Sequence, residues 1–160
     1  RECEEARRIR IATNTLETPE GAKLLANIGE LFGKRGDLEG ELREYAEAKR
    51  IRTQTNTLDT PEGAALLLKM GNAMGERGDI EGGLAAYAEA RAIRERTQTL
   101  ETPEGASLLL NIGHLLGWRG DLEGELRECE EARRILKVTN TLETPEGAAL
   151  LLNIGDPYGK

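Results

Sequence analysis

The chain has 160 residues, a net charge of −7, 38% hydrophobic residues and only 3% aromatics. The acidic balance excludes the basic stripe a nucleic-acid backbone needs and the basic face that anionic lipid attracts. No apolar run reaches the roughly 18 residues of a membrane span, so Leu, Ile and Ala are left to fill an ordinary water-soluble core.

One sentence recurs throughout. Thr-Pro-Glu-Gly-Ala stands at 18–22, and its proline returns as Pro61, Pro103 and Pro145. Each step is 42 (61−19, 103−61, 145−103). An unvarying period of this size marks an array of supersecondary units that share one continuous core. The expected organisation is a single array. Residues 1–13 are the second helix of a cut unit, 18–54, 60–96 and 102–138 are whole units, and 144–160 is a first helix. The start at Arg1, without Met and in mid-unit, points to a fragment or an engineered array.

In chain order, Cys3, Ala6 and Ile9 give the opening helix its apolar spacing. A polar connector follows, and Thr18 with Pro19 predicts a capped helix start, Glu20 adding charge that suits its positive end. Leu24, Leu25, Ile28, Leu31 and Phe32 make the apolar side of a first helix running to about Lys34. Gly36 is placed to stop it in a left-handed conformation, and Asp37 to cap the next. Leu38, Leu42, Tyr45, Ala48 and Ile51 then stripe a second helix. Glu39, Glu41, Arg43, Glu44, Glu47, Lys49, Arg50 and Arg52 read as its solvated face. The pattern repeats from Thr60, Asp79, Thr102, Asp121 and Thr144, until Pro157 should end or kink the last helix. The fold class is therefore all-α.

Leu25-x-x-Ile28-Gly29-x-x-Phe32 resembles the first-helix pattern of the tetratricopeptide (TPR) repeat. It returns at Leu67-x-x-Met70-Gly71, Leu109-x-x-Ile112-Gly113 and Leu151-x-x-Ile154-Gly155. Tyr45 and Ala48 match the family's second helix, whereas Glu41, Gly83 and Glu125 fall where it has a small residue. The 42-residue period resembles the variant of kinesin light chains. The resemblance implies an α-solenoid of antiparallel helix hairpins, a right-handed superhelix whose first helices line the concave wall and bind protein or peptide.

Little here suits catalysis. His114 is the only histidine, so a multi-histidine metal site within one chain is excluded, and no phosphate-binding glycine loop or zinc spacing occurs. No enzyme activity, cofactor or metal is expected. Cys3 and Cys129 lie three periods apart, about 30 Å at one helix diameter per unit, too far to bridge. Free thiols fit a reducing, cytoplasmic setting.

Projected onto the resemblance, the binding residues are Lys23, Asn27, Glu30, Lys34, Lys69, Asn72, Asn111, His114, Trp118 and Asn153. Asn27, Asn111 and Asn153 form a column, interrupted by Lys69, that can clamp a peptide backbone or bond neighbouring units instead. His114 and Trp118 share a helix face. They read either as an aromatic anchor pair, or as Trp118 packed on the adjacent second helix with His114 solvated. Gly33, Gly75, Gly117 and Gly159 suggest close helix approach. Besides a peptide-binding scaffold, the open ends allow head-to-tail self-association, and the near-identical units allow an array with no ligand of its own.

Overall fold

A computed structural model describes residues 2–145 together with 147 and 148. Among them run seven helices and no strand: α1 (Glu2–Ala12), α2 (Pro19–Gly33), α3 (Leu38–Gln54), α4 (Pro61–Glu76), α5 (Ile80–Arg96), α6 (Pro103–Arg119) and α7 (Leu122–Val138). The helix expected after Thr144, with Asn153, Pro157 and Gly159, lies beyond the described residues, as does the side chain of Cys3.

The helix ends follow from local chemistry. Thr18, Thr60 and Thr102 cap α2, α4 and α6, each hydroxyl accepting from the glycine three residues on, with proline first in the helix. Asp37, Asp79 and Asp121 cap α3, α5 and α7 in the same way. Gly36, Gly78 and Gly120 sit at φ +77, +85 and +89, the left-handed region a side chain resists. Second helices close differently. Asn14, Asn56, Gln98 and Asn140 take φ between 53 and 56, and the next amide reaches back, as when Thr57 N donates to Arg52 O at 2.8 Å. Asparagine tolerates that region by bonding locally; Gln98 lacks the short amide that helps.

α2 packs on α3, α4 on α5 and α6 on α7, while α3 covers α4, α5 covers α6 and α1 covers part of α2. The core is in phase with the sequence period. Leu25, Leu67 and Leu109 are fully buried, as are Ala48, Ala90 and Ala132, and Ile51 and Ile135 with them. Each such Leu or Ile contributes about 2–3 kcal/mol by leaving water. Tyr45 and Tyr87 lie flat against α2 and α4, where a Cβ on Gly29 or Gly71 would stand 2.6 or 2.2 Å from the ring.

Three expectations are corrected. Glu44 and Arg52 are not solvated; they are 2% and 8% exposed. Ion pairs bridge successive second helices along one edge of the charged face, as where Arg7 Nη1 donates to Glu44 Oε1 at 3.2 Å and Arg91 to Glu128. Arg52 turns inward to donate to Thr57 O, and Arg94 does the same to Thr99 O. Leu31 is 42% exposed, although Leu115 at the same place in the third unit is buried. Leu115 fits into α4 and α5, whereas α2 has only α1 on that side. Finally, Gly33 and Gly117 approach the carboxylates of Glu41 and Glu125 rather than a helix backbone, whereas the α4 backbone at Gly75 does come close to Gly83, 3.5 Å from where a Gly83 Cβ would stand.

Candidate binding groove

Two shallow pockets lie side by side along the row α2, α4, α6. The first, about 340 Å³, is lined by Glu30, Lys34, Glu41, Tyr45, Lys69, Asn72 and Glu76 among others. The second, about 170 Å³, is lined by Asn72, Gly75, Glu76, Tyr87, Asn111, His114, Leu115 and Trp118. Asn72 and Glu76 belong to both, so the two form one groove.

The groove exists because first-helix positions three and four apart share a face and the 42-residue period lines successive faces up. It therefore brings together seven of the ten residues projected from sequence: Glu30, Lys34, Lys69, Asn72, Asn111, His114 and Trp118. Lys23 and Asn27 are exposed on α2 and line neither pocket. Of the column of asparagines, Asn111 is tied diagonally to the neighbouring first helix, as is Lys69. Lys69 Nζ bonds Glu30 Oε1 at 2.5 Å, and one unit on Asn111 Nδ2 donates to Asn72 Oδ1 at 3.2 Å. The same Asn72 oxygen accepts from Tyr87 Oη at 2.6 Å. Asn72 is thus held by two partners through its oxygen, while its own amide N–H groups have no partner among the described residues.

Trp118 is 63% exposed, which overturns its packing against the neighbouring second helix. Leu115 and Leu116 already fill the apolar side of α6, and Trp118 stands on the groove wall beside His114, ring centroids 6.1 Å apart. An indole left this open has area still to bury.

Sequence reading missed the second-helix contribution of Glu41, Tyr45 and Tyr87. The signal was the pairing of a mid-helix glycine with a tyrosine sixteen residues on (45−29, 87−71), which lets the ring cross the first helix to the groove. Tyr45 Oη donates to Glu41 Oε1 at 2.9 Å. Burial, and then the neighbouring carboxylate, push the Tyr45 hydroxyl above its ordinary range.

Burial also raises the Glu41 carboxyl, partly offset by the Tyr45 bond and reinforced by Glu76 and Glu30. A folded-state value above the unfolded one means that the ionised form costs stability once pH exceeds both. Glu41→Gln is therefore expected to stabilise the protein near neutral pH by less than about 1 kcal/mol, the groove being open to solvent. The gain should vanish below about pH 4, where the unfolded carboxyl is protonated too. Urea midpoints of the two proteins across that range check it.

No group of three or more His, Cys, Asp or Glu among the described residues is arranged to hold a metal ion. Cys129 is a half-buried free thiol, raised by burial and by Glu125 and Glu128, an environment that suppresses thiolate chemistry. No described helix is long and apolar enough to cross a membrane.

Hairpins of this kind, stacked in register with a groove along their first helices, define a TPR-like α-solenoid, a repeat scaffold in fold. Among solved structures the chain is similar to BtubC (BKLC) from P. vanneervenii, with a TM-score of 0.81 at 18% identity. That match covers 86% of this chain and 55% of BtubC, so the chain spans little more than half the length of that relative. It is also similar to the nearly identical TPR-like repeats of a putative kinesin light chain from Podosopora anserina, with a TM-score of 0.78 at 16% identity over 95% of this chain and 72% of that one. A point variant of that protein gives 0.80 at 16% identity, with the same coverage. The likeness is to a kinesin-light-chain-like TPR fold. No protein-family model matches the chain, and no curated protein matches it in sequence.

Proposed function

We propose that the chain is a non-catalytic scaffold whose groove along α2, α4 and α6 binds an extended peptide or a segment of a partner protein. The observation that supports this most is Trp118, a large aromatic side chain 63% exposed on the wall of a groove already furnished with amide donors and acceptors. Extended peptides present an N–H and a C=O at every residue, and Asn72 and Asn111 offer both complements. Buried aromatic anchors carry the larger share of binding energy at such surfaces.

Trp118→Ala is expected to keep the helical content and unfolding midpoint of the parent, because the ring packs on little. Capture from a random library of blocked peptides should weaken by at least about 2 kcal/mol, roughly thirtyfold. Calorimetry on the selected peptides reads this. Equal affinity in the variant, or no peptide selected at all, removes the proposal, the latter in favour of an array without a ligand.

A further inference from the structure

The two halves of the groove differ in character. At the α4–α6 end, Trp118 and His114 stand over a floor of Gly75 and Leu115, apolar and shallow. At the α2–α4 end, three carboxylates, Glu30, Glu41 and Glu76, share a pocket with Lys34 and Lys69. Lys69 is paired with Glu30. Among the described residues no ion pair reaches Glu41 or Glu76, although Lys69 also acts on Glu41 across the pocket, so three carboxylates face two lysines. The hydroxyls of Tyr45 and Tyr87 are both raised, burial coming first and Glu76 among the further causes. This end of the groove therefore carries an uncompensated negative field.

The pockets adjoin through Asn72 and Glu76, one first helix apart, about 10 Å. A chain in the extended polyproline II form rises about 3.1 Å per residue with about three residues per turn, so that distance spans roughly three residues and brings both side chains to the same face. Between the pockets the Asn72 amide is fixed through its oxygen by Tyr87 and Asn111, and its own donors have no partner among the described residues.

We infer that the ligand is an extended peptide that sets a lysine or arginine against Glu41 and Glu76, and an aromatic or bulky apolar side chain against Trp118 about three residues away. The inference rests on the groove being the binding surface. Charge complementarity selects the first side chain. The unfilled area of the indole selects the second. An acidic residue at the first position meets repulsion from Glu41 and Glu76, which Lys34 and the Glu30-paired Lys69 offset only in part.

The test uses blocked, dye-labelled peptides with Gly-Ser flanks around Lys-Ala-Ala-Trp, the reversed Trp-Ala-Ala-Lys, Glu-Ala-Ala-Trp and Lys-Ala-Ala-Ala, read by fluorescence anisotropy at two salt concentrations. The better lysine–tryptophan order should bind about tenfold more tightly than the glutamate peptide, and the gap should narrow with salt. Glu76→Gln should close most of that gap. Trp118→Ala should weaken every tryptophan peptide and leave the lysine-only peptide unchanged. Equal or tighter binding of the glutamate peptide, with Glu76→Gln indifferent, overturns the inference while the groove stands. Binding of all peptides that ignores both Glu76→Gln and Trp118→Ala overturns the groove as well.

Discussion

Gly63→Ala is expected to lower stability by roughly 3 kcal/mol, a large loss for a single methyl. A Cβ at this position would lie 1.8 Å from the carbonyl oxygen of Leu58 and 2.7 Å from its carbon. Both are backbone atoms, so no rotamer change relieves the overlap. That carbonyl is held in place because it accepts the Thr60 N–H at 2.8 Å, while the Leu58 side chain packs against the core. Gly63 N in turn donates to the Thr60 hydroxyl. An alanine must therefore open the first turn of α4 or push the connector off it, losing a cap of about 1 kcal/mol and the burial of Leu58 together. Gly78→Ala is the matched control. Its φ of +85 is strained for alanine but nothing stands within 4 Å, so about 1 kcal/mol is expected there. Urea denaturation ranks the two. A Gly63→Ala midpoint within experimental error of the parent means that the connector yields and is not the rigid joint described.

The joint also shows where sequence reading succeeds. Thr18 with Pro19, Gly36 and Asp37 were legible because each acts on its own helix end, within four residues. The groove was legible wherever its wall comes from first helices alone, through Lys34, Asn72, His114 and Trp118, because helical spacing and a fixed period decide those faces. What failed involved a third partner. Glu44 belongs to a charged stripe by periodicity, yet α1 lies on it. Leu31 and Leu115 occupy the same slot and differ in exposure because their neighbours differ. Tyr45 and Tyr87 enter the groove only by crossing a glycine on another helix, a relation no single-helix pattern contains. Asn111 spends its amide on Asn72, a choice set by two units at once.

The same three-body logic gives the second large effect, a coupled pair at the boundary of the second and third units. Over Gly33 lies the carboxylate of Glu41, and over Gly117 that of Glu125. The second unit has Gly83 in the equivalent place, and there Leu115 from α6 reaches in, 2.6 Å from where a Cβ of Gly83 would stand and 2.9 Å from that of Gly75. Where Glu41 fills the space, α4 presents Ala73 instead of leucine. Carboxylate with alanine and glycine with leucine are thus two solutions to one volume. Gly83→Glu alone forces a charged group into space that Leu115 holds and should cost about 2–3 kcal/mol, after a gain of up to about 1 from leaving glycine. Leu115→Ala alone opens a cavity and should cost about 3 kcal/mol. Simple addition predicts about 5–6 kcal/mol for both. The double variant instead reproduces the arrangement of Glu41 and Ala73, with Tyr87 able to donate to the new carboxylate as Tyr45 does to Glu41, in exchange for its bond to Asn72. It should therefore lose only about 3 kcal/mol, a favourable coupling of about 2. Urea unfolding of the four proteins measures that coupling directly. Additive losses would mean that the units differ at this boundary for reasons other than the volume they share.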